Sequence, residues 1–424
     1  MRMGIQTWGS DGDIRPFIAL ANGLARKGHE VSLAITSVDG KDYSTAGRRN
    51  LRIIHTASVE WERHVILDIM GKLLRSRDPF TQLRVVLRFF FDPLVEKMYA
   101  HSKKLAESND VLVGHFVVHP LKTAADKVGT PYVTVTLNHL GVPTRFKAPF
   151  GLPTPGEWFN PVWWALAKGI VNVAFKKQVN TLCTKEGLQP SRDVLDDIFY
   201  AKDLNILAVS RVFCDQMPDW VGRHYVCGFF NIEEEDDPWQ MPANLRAFLR
   251  GGPPPVYMTF GSMLSLDPDP GRITKLLVDS ALGARVRAIV QSRWGDIRDI
   301  PHHQDIYRID KAPHHYLFSL CSAVIHHGGA GTTHAATRSG CPSVVVQHFL
   351  DQRFWGQELR RLGIAPPVLD RRSVTPEKLS RAIDSVLHTR GMKERAEELG
   401  RVMREEHGVE SAVDLIETAA KRQR

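Results

Sequence analysis

An apolar strand that runs straight into a glycine-rich turn and on into a helix is the feature that most restricts how this chain can fold. It appears first at the N-terminus. Met3 to about Trp8 read as a strand and Gly9 to Gly12 as the turn. Phe17, Leu20, Ala21 and Leu24 then recur at helical spacing until Gly28 stops the helix. Pro16 suits the first turn of that helix. Val31 to Ile35 reads as the next strand. Alternation of this kind predicts a parallel sheet covered by helices. Further strands of the same sheet are expected at 110–114, 131–137, 205–209 and 224–228.

Two stretches interrupt the alternation. Residues 60–104 read as helical and amphipathic. Residues 143–180 carry Phe146, Phe150, Trp158, Phe159, Trp163, Trp164 and Phe175. Two readings of this aromatic insertion stay open: core packing, or the wall of an apolar binding cleft. The apolar stretch LRVVLRFFFDPLV is broken by Arg88 and Asp92. No apolar run reaches about 18 residues, so no segment is expected to span a bilayer.

The pattern then breaks and restarts. Residues 231–255, NIEEEDDPWQMPANLRAFLRGGPPP, combine an acidic run, two glycines and three consecutive prolines, and read as a linker. A second strand-and-turn unit begins at Val256 with VYMTFGS, and strands are expected near 286–291, 305–309, 321–326 and 342–347. The chain of 424 residues suits two α/β domains of about 200 residues each. The boundaries read as 1–230 for the first domain, 256–400 for the second, and a C-terminal helix over 401–424 packing back on the first. The fold class is α/β, with two doubly wound domains. Open sheets of this type bind ligands beyond the carboxyl ends of their strands. Two of them are expected to present their sites face to face.

The net charge of +8 fits anionic ligands without choosing among them. No Lys/Arg tract or zinc-spaced cluster accompanies it, which argues against nucleic acid. Cys183, Cys214, Cys227, Cys321 and Cys341 are scattered, odd in number and without a CxxC pair. That usage suits a reducing, cytoplasmic location. The opening MRMGIQTWGSDGD has no apolar region of the signal-peptide type.

The most informative stretch is 321–356, CSAVIHHGGAGTTHAATRSGCPSVVVQHFLDQRFWG. Val324 and Ile325 end a strand. His326, His327, Gly328, Gly329, Ala330 and Gly331 follow, and Thr332 and Thr333 open a helix that ends near Gly340. Such a turn exposes backbone N–H groups and the positive end of the helix dipole, an anion site of phosphate size. His327 adds a donor, or a charge when protonated. By itself the turn is equally an ordinary helix cap. The strand PSVVVQ that follows leads to His348, Asp351 and Gln352. Carboxylate and amide groups at a strand end suit sugar hydroxyls. A phosphate cradle with an Asp-Gln pair one strand later describes a sugar-nucleotide site.

The run HHGGAGTT, then GCP, then DQRFWG, resembles the donor signature of the family 1 glycosyltransferases, which have the two-domain GT-B fold. Within the family it is most similar to sterol glucosyltransferases and bacterial natural-product glycosyltransferases. The resemblance covers the second domain and the first strand-helix-strand unit. It is vague over 40–110 and 140–200. It implies that His327 contacts the donor diphosphate, and that Gly329, Gly331 and Thr332 hold phosphate oxygens. By the same resemblance Ser262, in the FGS turn, would touch the phosphates from the first strand of the second domain. Asp351 and Gln352 bind the hexose hydroxyls. Trp294, in SRWGD, packs on the nucleobase or in the core. The segment DKAPHHYLF resembles the loop whose backbone reads the base edge, at Ala312. Plant relatives place a tryptophan in this loop where the present chain has Lys311, so base stacking is not carried over.

The first turn reads GSDGDIRPF. Plant relatives have a histidine that deprotonates the acceptor here, and bacterial and sterol-type relatives an aspartate. Asp13 takes that position. Two roles are open to it, general base and helix cap at Pro16, and they are compatible. His115, after strand 110–114, lies near where some relatives place a group that orients the base. Relatives often have Arg in place of Asp11. Asp11-Gly12-Asp13 also spells the D-x-D of metal-dependent glycosyltransferases. Its place in a first strand-helix turn argues against a metal, since a helix-dipole phosphate site stands elsewhere. Trp8, Trp158 and Trp163 are the acceptor-side aromatics.

The resemblance implies an inverting, metal-free transfer of a hexose, glucose, from UDP to a hydroxyl of a lipophilic molecule: a sterol, terpenoid or polyketide-like aglycone. No cofactor is implied beyond the co-substrate. The chain would act as monomer or homodimer, with peripheral membrane contact left open by a lipid acceptor. Two alternatives remain: a transferase of thymidine-linked deoxysugars and a non-catalytic partner with the same fold; a sugar-nucleotide epimerase is disfavoured because it would not need the DQRFWG context. A nicotinamide enzyme is disfavoured because the first turn lacks G-x-G-x-x-G.

Overall fold

The computed structural model describes residues 1–43, 49–58, 61–232, 239–261, 267, 269–292, 302–310 and 312–422. They form two compact units. One comprises Met1–Glu60, Val86–Glu233 and Glu406–Arg424; the other comprises Trp61–Val85 and Glu234–Glu405.

The first unit is built on seven parallel strands. They are β1 (Arg2–Gly9), β2 (Glu30–Ser37), β3 (Leu51–Ser58), β4 (Val111–His115), β5 (Tyr132–Thr136), β6 (Asn205–Leu207) and β7 (His224–Val226). Their order is β3-β2-β1-β4-β5-β6-β7. The inner strands β4 and β5 are buried at every position, as expected where helices cover both faces of a parallel sheet. The order reverses between β1 and β4, where Gln6 pairs with Gly114. The cleft above that switch point is where this topology offers a binding site.

The helix Asp11–Arg26 follows β1 directly, and Phe17, Leu20 and Leu24 bury beneath the sheet. It begins five residues before Pro16, which therefore sits inside the helix and not in its first turn. Pro16 lacks the N–H that would meet the carbonyl of Gly12. Gly12 is exposed, so that carbonyl can meet water. The helix Gly408–Arg422 closes the unit, with Val409 and Val413 packed at Gly23. A β-carbon on Gly23 would lie 2.3 Å from Val409 Cγ1, so this close approach needs glycine. His29 Nε2 and Glu417 Oε1 join the same helix to the unit at 2.7 Å.

The second unit carries β8 (Val256–Thr259), β9 (Ala288–Gln291), β10 (Ile306–Ile309), β11 (Ala323–His326), β12 (Ser343–Gln347) and β13 (Leu369–Asp370). The order is β10-β9-β8-β11-β12-β13, again all parallel. Its switch point lies between β8 and β11, where Thr259 pairs with His326.

Three features depart from the sequence reading. Strand β3 was not anticipated; it is an edge strand whose alternation is weak, with most of its residues only half-buried. The stretch read as linker contains a helix, Ala243–Arg250, whose Leu245 is fully buried with Tyr257 and Ile289. Residues 61–85, expected with the N-terminal part of the chain, belong to the second unit. There Arg372 donates to Ser76 O at 2.8 Å and Gln82 reaches Leu350.

Candidate functional site

Each switch point carries one cluster of polar side chains. In the first unit the turn after β1 is short, because the helix starts at Asp11 with Ser10 as its cap residue. Asp13 is the third helical residue. Its Oδ2 accepts from Ser10 N at 3.0 Å and from Ser10 Oγ at 3.2 Å. This is the reach-back half of a capping box, and it fixes the carboxylate's orientation. Asp13 thus caps the helix, but back at Ser10 and not at Pro16. Gly9 makes room for it. With φ at +138° and an added β-carbon only 2.3 Å from Asp13 Oδ2, this position admits glycine alone.

Asp11 points to other partners. It meets Arg15 Nε at 3.1 Å, Tyr43 OH at 3.1 Å and Lys41 Nζ at 3.5 Å. Burial pushes its carboxyl up, but Arg15, Lys41 and Tyr43 outweigh that and hold it below the usual range. The two aspartates of the D-x-D string are therefore engaged separately.

His115 ends β4 and is buried against Phe17 and Phe116, at ring distances of 5.6 and 5.0 Å. Burial lowers its pKa to about 3, so the ring is neutral. His119, not singled out from the sequence, lies one turn on. It is 1% exposed, its pKa is likewise lowered to about 3 by burial, and neither ring nitrogen has a partner among the described residues. Phe91 packs on His119 at 5.5 Å and on Trp8 at 5.0 Å. Trp8 donates its indole N–H to Phe90 O at 3.0 Å, so it is held as part of this apolar wall. A π-helical turn, Leu87–Phe91, supplies both partners.

The other acceptor-side tryptophans are placed differently. Trp158 is 99% exposed and walls no cleft. Trp163 is half-buried, edge-on to Phe159 at 5.6 Å. In the aromatic insertion Trp164 and Phe175 enter the core, while Phe150, Trp158 and Phe159 are exposed.

In the second unit β11 ends at His326 and the turn His327-Gly328-Gly329 leads into the helix Ala330–Arg338. Gly328 has φ +89°, and a β-carbon there would meet Gln352 O at 2.7 Å and Val345 Cγ1 at 2.8 Å. Gly329 lies under the His327 ring, 2.5 Å from Nε2 to a built β-carbon. These glycines let the backbone pass close beneath the imidazole. The first helical N–H bonded back to the turn is that of Thr333, to Gly329 O at 2.9 Å. The N–H groups of Ala330, Gly331 and Thr332 are the ones a helix leaves open. Thr332 is itself buried.

Burial lowers the His327 pKa to about 4. The ring is neutral and offers a hydrogen bond without charge. Its Nδ1 is buried and has no partner among the described residues. That nitrogen lies on the Gly261 side of the ring, while Nε2 faces Gly329 and the start of the helix.

Asp351 and Gln352 stand at the end of β12. Gln352 Oε1 accepts from His348 N at 2.7 Å and Phe349 N at 3.2 Å, which leaves the amide nitrogen for a ligand. Asp351 Oδ2 accepts from the Trp355 indole at 3.1 Å. Burial pushes its carboxyl up, partly countered by that bond. Just before them, Leu350 has φ +53°, a left-handed conformation rare for leucine. Gln82, which is 4% exposed, pins it by accepting from Leu350 N at 3.0 Å. No local signal marks Gln82, because its partner lies 268 positions away. A buried ion pair between Arg371 and Asp267 braces the same edge, and Arg371 N donates to Gln347 O at 3.0 Å.

The structure thus brings His327, Gly329, Gly331 and Thr332 into one turn and sets Asp351 and Gln352 on the next strand end. Ala312 is buried after β10. Ser262, Trp294 and Lys311 lie outside the described residues.

Two all-parallel sheets, each with its polar cluster at the switch point, are the architecture of the GT-B class. Residues 281–416 match the family described as erythromycin biosynthesis protein CIII-like, C-terminal domain. Over 98% of its length the chain is 28% identical to a sterol 3-beta-glucosyltransferase of Aspergillus oryzae, covering 30% of it. Over 96% it is 27% identical to a sterol 3-beta-glucosyltransferase of Arabidopsis thaliana, covering 63% of it. The chain therefore spans under a third of the fungal relative and under two thirds of the plant one. Among solved structures, the glycosyltransferase of kitacinnamycin superposes with a TM-score of 0.67 at 21% identity, over 99% of both chains. The glycosyltransferase VinC, solved in complex with DTDP, gives 0.66 at 19% identity over the full length of both. These likenesses show the GT-B fold and a sequence similar to sterol 3-beta-glucosyltransferases along nearly the whole chain.

Proposed function

We propose that this chain is an inverting, metal-independent glycosyltransferase. It moves a hexose, glucose, from a UDP-sugar to a hydroxyl of a lipophilic small molecule such as a sterol, terpenoid or polyketide-like aglycone. The observation that carries this reading is the turn His327–Thr332, where two glycines pass the backbone beneath the His327 ring into an open helix start. Because His327 is neutral, compensation of the diphosphate charge falls to the backbone N–H groups and the helix dipole.

In the proposed reaction Asp13 takes the proton of the acceptor hydroxyl as its oxygen attacks the anomeric carbon. The bond from that carbon to the diphosphate oxygen breaks, and the diphosphate leaves against the turn. One displacement inverts the anomeric centre. Asp351 and the Gln352 amide nitrogen hold the hexose. The apolar wall of Trp8, Phe91 and Phe116 suits a lipophilic acceptor. The likeness to sterol glucosyltransferases along nearly the whole chain favours glucose and a sterol-like acceptor. A thymidine-linked sugar is the second reading, favoured by VinC with its DTDP.

Calorimetry of the full chain with UDP-glucose and thymidine-diphosphate glucose tests this. UDP-glucose is expected to bind, and His327→Ala to weaken it by about tenfold or more, the worth of one hydrogen bond in a buried site. Preference for the thymidine donor would move the assignment to the second reading. Binding to neither would overturn it.

A further inference from the structure

The helix Asn160–Lys185 is apolar on the side that ought to be polar. Its inner face is ordinary: Trp164, Phe175, Val179 and Leu182 are buried in the first unit. On its outer face Val162 is 47% exposed, Leu166 56%, Ile170 45% and Val173 85%. Spacings of four, four and three residues put these side chains in one row, about 17 Å long. Trp158, 99% exposed, stands just before the helix at the head of the row. A contiguous exposed apolar row with a bare indole at its end is a surface built for contact.

The charge beside the row indicates what it contacts. The 26-residue helix contains no Asp or Glu, and its lysines are Lys168, Lys176, Lys177 and Lys185. Lys168 is offset by Asp196 and Asp193, and Lys185 by Glu96 at 2.8 Å. Lys176 and Lys177 continue the row directly past Val173. Lys176 Nζ donates to a carbonyl, Arg192 O, and so keeps its charge uncompensated by that contact. Both line a shallow depression with Asn180, Thr181, Thr184 and Lys185. Arg192 adds a further cation nearby. An apolar row that runs on into a half-buried and an exposed lysine, led by a tryptophan, matches the interface of an anionic bilayer. The side chains enter the acyl boundary, the indole sits at headgroup depth and the lysines meet lipid phosphates.

We propose that the Val162–Val173 face of this helix, with Trp158 and Lys176–Lys177, docks the protein on an anionic lipid surface. The contact lies in the plane of the membrane, since no described helix is long and apolar enough to cross one. A protein seated this way meets lipophilic molecules where they are dissolved. The docking itself does not depend on the proposed transfer reaction.

Co-sedimentation of the full chain with vesicles tests it, with neither donor nor acceptor present. The vesicles are phosphatidylcholine alone and an equimolar mixture of phosphatidylcholine and phosphatidylglycerol. The wild-type chain is expected to bind the mixed vesicles, and high salt to weaken that binding. The double substitution Leu166→Glu with Val173→Glu should lower partitioning by about tenfold or more, with its circular dichroism unchanged. Val221→Glu, at another exposed apolar position of the same unit, should bind as wild type does. Absence of binding to either vesicle, or equal binding by the double variant, would overturn the proposal. So would a wild-type dimer that the double substitution dissolves, since the face would then belong to a second copy of the chain.

Discussion

Acid should unfold this protein through its histidines. His115, His119, His224 and His334 are buried, and burial lowers their pKa values to about 3, 3, 4 and 4. In the unfolded chain each titrates near about 6.5. Below that pH the unfolded state binds more protons than the folded one, so stability falls as pH falls. At about pH 5 each histidine costs about 2 kcal/mol, and four together cost about 8 kcal/mol. That rivals the whole stability of an ordinary domain, about 5–15 kcal/mol. These four alone contribute a slope approaching about 5.5 kcal/mol per pH unit, at about 1.4 kcal/mol per proton, and the buried His326, His327 and His348, held low in the same way, add to it. Urea unfolding followed by circular dichroism, from about pH 7.5 down to about pH 5, measures it directly. His119→Leu removes one titrating ring whose nitrogens have no hydrogen bond to lose among the described residues, so its slope should be shallower by one proton. A stability that stays flat between about pH 7 and pH 5 would refute the claim that these rings are held neutral.

Two substitutions probe the clusters through their supports. Gly9→Ala forces a β-carbon toward Asp13 Oδ2 and strains a φ of +138° by about 1–3 kcal/mol. Turnover should fall steeply while donor affinity, measured by calorimetry, stays unchanged. Gln82→Ala leaves Leu350 N without its buried acceptor, a loss of about 1–3 kcal/mol at the loop that carries Asp351. The donor KM should rise by about tenfold with a smaller change in kcat, which steady-state kinetics over a donor series separates.

The two sheets were legible because β4, β5, β11 and β12 are short runs dense in valine and isoleucine, bounded by turns. The turn His327–Thr332 was legible as a strand-to-helix turn because its glycines are consecutive and a helix pattern follows. What escaped is non-local or masked by symmetry. Leu51–Ser58 alternates too weakly to announce an edge strand. Gln82 acts on a loop in a distant part of the sequence, and the packing of residues 61–85 into the second unit has no local signature. The charge state of His327 depends on burial, which sequence does not give; it is neutral where a protonated form was one of the options. The outer face of Asn160–Lys185 was hidden for another reason. When both faces of a helix are apolar, no periodicity marks the exposed one.

The central claim is that Asp13 and the His327 turn serve one transfer reaction with separate tasks. The most direct measurement is transfer from UDP-glucose to a hydroxylated sterol by Asp13→Asn in the presence of EDTA, paired with donor calorimetry of the same variant. The account predicts an unchanged donor affinity, a rate reduced by about 100-fold or more, the worth of a general base, and a wild-type rate that EDTA does not alter. Near-normal transfer by Asp13→Asn would contradict it.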